Sequence, residues 1–286
     1  MIYLSRILEK TIEKTLFLCA VAAIFIVALI FIFIFMEGLP VIEKYGIIHF
    51  IAGLQWLPTE KSFGLLPMIA GSLFVTLGAL IIGVPLGVGC AIFISEMAPL
   101  KITGMIRTAI NLLAGIPSVV YGFYGLVVVV PLIRETFGGN GFSVLSASIV
   151  LAIMILPTII SISEDSIRAV PREFKEGSLA LGATHWQTIK KVILPTAGSG
   201  IVTAVVLGMG RAIGETIAII LVSGNVAMVP KSVLDPVRTL TANIAIEMGY
   251  ATGEHASALF ATGIVLFLFI LLLNFMVTLI PQKAGD

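Results

Sequence analysis

Residues 171–195 read PREFKEGSLALGATHWQTIKKVILP, a polar interlude between two apolar runs. Pro171 suits the first turn of a helix. Glu173 and Glu176 follow in the region where the helix dipole favours acids. Phe174, Leu179 and Leu181 supply apolar contact without forming one clean stripe, and Gly182 fits a C-terminal stop. Thr184 and Gln187 then make a TxxQ capping box for a second short helix. That helix offers Trp186, Ile189, Val192 and Ile193 at helical spacing. Lys190 and Lys191 fall in its last turn, Pro195 ends it, and Ala197 opens the next apolar run. Two short helices meeting at a sharp angle make a rigid knob. Such a knob either lies along a lipid interface or fits a partner's groove.

The flanking runs set the class. Apolar residues make up 58% of the 286 and charged residues only 12%, more apolar surface than a soluble domain can hide. Six runs, at 15–36, 66–95, 106–133, 142–162, 197–222 and 256–280, each supply the ~20 residues that a bilayer core requires. The first is expected to be an uncleaved span, because it is long for a signal peptide and no A-x-A site follows the run before Glu37. Arg6, Lys10, Lys14, Lys101, Arg107, Arg168, Arg172, Lys175, Lys190, Lys191 and Lys283 fall on one side. Lys44, Lys61, Arg134, Lys231 and Arg238 fall on the other. The richer side is cytoplasmic by the positive-inside rule, so both termini are expected inside and 37–64 and 223–255 outside. The expected fold is an all-α integral membrane bundle of six transmembrane helices in the cell (inner) membrane. It divides into 1–64, a first helix plus an extracytoplasmic segment, and 65–281, the transmembrane core with the cytoplasmic loop 164–195. Gly83 and Pro85 in the second span and Pro117 in the third predict close packing or kinks.

Several chemistries drop out. The net charge of +1 with no basic patch gives no reason to expect a nucleic-acid partner. Cys19 and Cys90 lie in apolar runs, and His49, His185 and His255 lack ligand spacing, so no metal site is expected. No GxxxxGK[ST] occurs, so nucleotide hydrolysis is not expected in this chain.

One span carries charge. Residues 207–221 read LGMGRAIGETIAIIL, with Arg211 and Glu215 four apart. A charged side chain at mid-bilayer costs roughly 2.5–3.5 kcal/mol, so neither is expected to face lipid. In an unbroken helix they share a face and can pair, and Gly210 and Gly214 form a GxxxG that could admit a second helix. Two readings follow: a structural ion pair, or a switchable contact in which an oxyanion takes the planar guanidinium while Glu215 swings aside. Thr216 and Asn225 are further polar candidates for the path. Glu215 alone could also serve as a proton carrier in a secondary transporter. An intramembrane acid–base enzyme lacks a nucleophile or metal set beside it.

The loop carries a resemblance. Glu176-Gly177-Ser178, Gly182 and Val192-Ile193-Leu194-Pro195 resemble the EAA motif of ABC importer permeases, E-A-A, three residues, G, nine residues, I-x-L-P. Gly177 and Ser178 replace the alanines and Val192 an isoleucine. The resemblance implies a type I (MetI-like) permease bundle that docks on a cytoplasmic ATPase through Glu176, Gly177, Ser178, Gly182, Trp186, Leu194 and Pro195. Further stretches are similar to phosphate permeases of the PstC type: Trp56-Leu57-Pro58, Phe63-Gly64-Leu65-Leu66-Pro67, Ser95-Glu96-Met97-Ala98-Pro99, Ile116-Pro117-Ser118-Val119-Val120-Tyr121-Gly122 and Gly210-Arg211-Ala212-Ile213-Gly214-Glu215-Thr216. They imply a PstA-like second permease, a PstB-like ATPase dimer holding the ATP and magnesium, and a PstS-like phosphate-binding protein. No cofactor is then expected in this chain. Sulfate, molybdate or phosphonate remain alternative cargoes, since one arginine does not distinguish tetrahedral anions.

Overall fold

In lipid every backbone polar group must be satisfied within the chain, and helices do this residue by residue. The computed structural model describes residues 2–278, with side chains for 12–99 and 101–275, and is helical almost throughout. The predicted end of the sixth span at Ile280 and the basic Lys283 lie outside the described residues.

Helix α1 (Ile2–Tyr45) has 44 residues, about 66 Å at 1.5 Å each, more than a bilayer core needs. Gly46 turns the chain through a positive φ of 82° into α2 (Ile47–Ala52). Strands β1 (Trp56–Leu57) and β2 (Ser62–Phe63) follow as a small antiparallel hairpin that pairs Trp56 with Phe63. Helix α3 (Leu66–Ile92) runs straight on past Pro85 and closes in a wide π turn at 93–97.

The third predicted span is two elements rather than one. Helix α4 (Leu100–Gly115) stops, Ile116 is extended ahead of Pro117, and α5 (Ser118–Tyr124) begins anew. Proline disfavours the α conformation in the residue before it, which explains the break. The crossing itself is α5, a π turn at 125–129, and α6 (Val130–Phe137).

Helix α7 (Val144–Arg168), capped by the Ser143 hydroxyl, is the centre of the bundle. It is the most buried span because it lies against α3 and the fifth span. Small residues permit the approach. A Cβ on Gly78 would collide with the Ser148 side chain, and one on Gly83 would lie 3.0 Å from the Ile155 side chain.

The loop helices are α8 (Arg172–Ala180) and α9 (His185–Thr188), which runs through a π turn at 189–193 into α10 (Leu194–Thr196). Pro195 lies one residue before the end of this continuous helix at Thr196, close to the predicted end. A 67° bend then leads into α11 (Gly198–Gly214). The fifth span is also broken: Glu215 is extended, and α12 (Ile217–Val222) starts as a separate helix. The loop that follows contains α13 (Leu240–Glu247), capped by Thr239. Helix α14 (Glu254–Thr278) returns along α1, with Phe31 edge-on to Phe267 at 5.0 Å.

Among the described residues five helices are long and apolar enough to cross a membrane, and six if the bent segment ending in α11 counts as one span. The expected all-α membrane bundle is thus the fold, with its third and fifth members broken.

Candidate functional site

The break at Glu215 changes the geometry of the charged segment. Arg211 lies in the last turn of α11, and Glu215 sits just beyond it in extended backbone. The predicted same-face ion pair is absent among the described residues, because the spacing argument assumed a continuous helix. The Glu215 carboxylate instead accepts the Ala218 backbone N–H at 3.0 Å, satisfying an orphan donor in the first turn of α12. Its carbonyl accepts the Thr241 hydroxyl at 2.9 Å, tying the break to α13. The Ser72 hydroxyl on α3 accepts the Leu240 N–H at 2.9 Å from the same helix start.

Arg211 is exposed on the surface of the chain and has no carboxylate partner among the described residues. Its one close polar contact is the Thr158 hydroxyl on α7, at 3.4 Å. Gly210 and Gly214 flank it, and a Cβ at either would meet nothing. The close contact expected of this GxxxG is therefore not made within the chain. Thr216 donates its hydroxyl to the Gly214 carbonyl at 3.3 Å. Asn225 adopts a left-handed φ of 55°, and its amide donates to the Ile220 carbonyl at 2.7 Å. Its side chain thus closes the end of α12.

The polar loop folds as its sequence directs. Gly182 takes φ 83°, and the Thr184–Gln187 capping box is complete, with bonds of 2.8 and 3.3 Å. One side is anchored: Ile189 and Ile193 are buried beside Ala91, Ile94, Ile110 and Ile167. Phe174, Leu181 (91% exposed) and Trp186 (59% exposed) stay outside that anchor. Helix α8, with Glu176 and Gly177, buries no residue at all. Ser178 turns inward to the Thr188 hydroxyl at 3.0 Å, and Leu194 and Pro195 form the bend toward α11. Exposed large apolar side chains on a rigid, inwardly anchored knob are what a protein-docking surface requires.

Two buried carboxylate clusters, around Glu164 and Glu247, and a third, partly buried, around Glu96 were not foreseen. At the knob's end of the bundle, Glu164 (7% exposed) accepts Arg107 Nε at 2.8 Å and Arg168 Nε at 2.9 Å, joining α4 to α7. The bond to Glu164 raises the Arg107 pKa, so the guanidinium is held in its charged form. Nearby, Glu96 (10% exposed) pairs with Lys175 of α8 and lies 3.5 Å from His185 Nε2 of α9. At the opposite end, Glu247 accepts Arg238 at 2.6 Å, Trp56 Nε1 at 2.7 Å and lies 2.8 Å from His255 Nε2. Arg238 also reaches the Asn225 carbonyl and the Asn243 side chain, so this cluster fixes α13 against the β hairpin and α14. The available signal was a lone acid at the end of an apolar run or in a loop, whose partners are distant in sequence.

The chain is similar to known transport proteins over nearly its whole length. It is 45% identical over 269 residues to the probable ABC transporter permease protein YqgH of Bacillus subtilis, covering 90% of this chain and 87% of that one. It is 35% identical to the phosphate transport system permease protein PstC of Haemophilus influenzae, covering 97% and 96%. Among solved structures, the fold matches the bacterial alginate ABC transporter bound to its periplasmic protein with a TM-score of 0.64 at 20% identity, covering 97% and 99%. It also matches the inward-facing MetNI methionine ABC transporter at 0.58 and 22% identity, covering 78% and 94%. Residues 83–285 match the family described as binding-protein-dependent transport system inner membrane component. The chain belongs to that family of ABC importer permeases.

Proposed function

We propose that the chain is one of two membrane subunits of an ATP-driven phosphate importer and that Arg211 contacts the anion in transit. The observation that carries the reading is the state of Arg211. It lies within a membrane-spanning helix, exposed at the surface of the single chain and without a carboxylate partner. Exposure to acyl chains would cost roughly 2.5–3.5 kcal/mol. A second permease covering this face would replace lipid with an aqueous path. Its helix could approach closely over Gly210 and Gly214, where no side chain stands in the way. Within that path the guanidinium offers a planar fork of donors to phosphate oxygens. With Glu215 engaged at α12, the arginine is free for cargo in this conformation. Phosphate rather than another oxyanion rests on the PstC relatives, which are phosphate transport system permease proteins.

The partners follow from the same reading. The exposed Phe174, Leu181 and Trp186 face fits the groove of a PstB-like ATPase, which would hold the ATP and magnesium. A PstS-like binding protein would deliver phosphate to the opposite end of the bundle, at the β hairpin and α13. The loop side is then cytoplasmic, and so are both termini. The test is phosphate uptake into vesicles carrying the assembled transporter, with ATP inside and binding protein outside. Arg211→Gln is expected to abolish uptake while leaving the complex intact. Wild-type uptake by an intact complex carrying Arg211→Gln would refute the role.

A further inference from the structure

The docking knob meets the bundle in two different ways. Through α10 and the 67° bend it is covalently continuous with α11, the helix of Arg211. Its second helix, α9 with the following π turn, is held by apolar burial of Ile189 and Ile193. Its first helix, α8, has no such anchor. No α8 side chain is buried, and a cavity of about 410 Å³ separates it from the ends of α3 and α7. Polar links must therefore set its position. They are the Ser178–Thr188 bond to α9 and the ion pair between Lys175 and Glu96.

Glu96 is placed to do more than hold a surface lysine. It is one-tenth exposed and also lies 3.5 Å from His185, so it faces side chains from both helices of the knob. Its backbone is the π turn that ends α3. Such turns pack one residue too many into a helical turn and mark places where a helix can rearrange. The neighbouring Ser95 hydroxyl is buried, has no hydrogen-bond partner among the described residues and lines the same cavity. An unmade buried hydrogen bond is a cost, so this turn has a bond to gain by shifting. Helix α3 in turn packs along α7, and its Ser72 hydroxyl accepts the Leu240 N–H at the start of α13.

We propose that Glu96 is the latch through which movement of the docking loop reaches α3. In this role it is a positioning residue: force on the exposed face of α8 passes through Lys175 to the π turn of α3, while the α10 bend moves α11. The two helices on either side of α7 then shift together. This rests on the reading of 164–195 as the ATPase-docking loop. Breaking the latch leaves the ATPase bound and hydrolysing but uncouples hydrolysis from movement of the spans.

The test uses the complete transporter in vesicles, with phosphate uptake and ATP hydrolysis measured on the same preparation. Glu96→Gln is expected to keep the ATPase bound and hydrolysis active, while phosphate moved per ATP falls about tenfold, within the ordinary range of coupling between sites. Lys175→Met, at a position that supports no buried packing, is expected to give the same uncoupling. The exchange Glu96→Lys with Lys175→Glu is expected to recover most of the ratio, which a merely structural role would not produce. An unchanged ratio in Lys175→Met, or uptake and hydrolysis falling in proportion in both single variants, would overturn the latch. Failure of the wild-type chain to bring down an ATPase would instead overturn the docking reading, and the latch with it.

Discussion

Glu247→Gln isolates the buried cluster that fixes the end of the bundle opposite the knob. The carboxylate side chain is 7% exposed and meets Arg238, Trp56 and His255 at 2.6–2.8 Å. Glutamine keeps the shape but removes the charge facing Arg238, and its amide nitrogen cannot accept from Trp56 or Arg238. Breaking a buried pair by neutralising one partner costs about 3–5 kcal/mol. Arg238 is 18% exposed and keeps the Asn225 carbonyl and Asn243, so the low end applies, about 3 kcal/mol. For a chain of this size that lowers Tm by roughly 6 °C. The assay is thermal unfolding in lipid nanodiscs followed by Trp56 emission, with the exposed Trp186 replaced by phenylalanine. Adding Arg238→Met to Glu247→Gln is expected to restore part of the loss, because the stranded cation is gone. A shift below about 2 °C for Glu247→Gln, or a further drop in the double variant, would refute the reasoning.

Three other outcomes follow from the structure. Leu181→Asp together with Trp186→Ala is expected to abolish co-purification of the ATPase without changing Tm, since both side chains are exposed; immunoblotting of the purified complex checks it. Gly78→Ala places a Cβ 2.8 Å from Ser148 Cβ in the closest helix pair, and overpacking there is expected to cost about 1–3 kcal/mol by the same melting assay. Thr184→Ala removes the cap of α9, expected to cost about 1 kcal/mol and to raise amide exchange over 184–188.

The sequence was most informative where one physical rule acted alone. Hydropathy located the membrane runs, and cap chemistry at Thr184, Gln187 and Gly182 located the knob in detail. It was least informative where a run stayed apolar while the backbone changed direction. Around Gly115–Ser118 and Gly214–Ile217 the run stays apolar when averaged over the length of a span, so one helix was expected where two form. Pro117 carried a usable signal, since the residue before a proline resists the helical conformation. Glu215 carried none, because glutamate is an ordinary helix former and its role as a cap depends on tertiary placement of Ala218 and Thr241. The clusters around Glu96, Glu164 and Glu247 were illegible for a related reason: their partners lie from 4 to 191 residues away, and no local pattern links them. Helix α13 has eight residues, too few for periodicity to distinguish it from the loop around it.

The central claim is that Arg211 faces a water-filled path closed by a second permease. The direct measurement is labelling of Arg211→Cys, with Cys19 and Cys90 replaced by alanine, by a charged, membrane-impermeant thiol reagent in the assembled transporter. Reaction in the nucleotide-free state, at a rate altered by trapping the ATPase with nucleotide, is the predicted result. A cysteine that reacts only with a lipid-soluble maleimide, at a rate indifferent to nucleotide, would place the side chain against acyl chains and contradict the account.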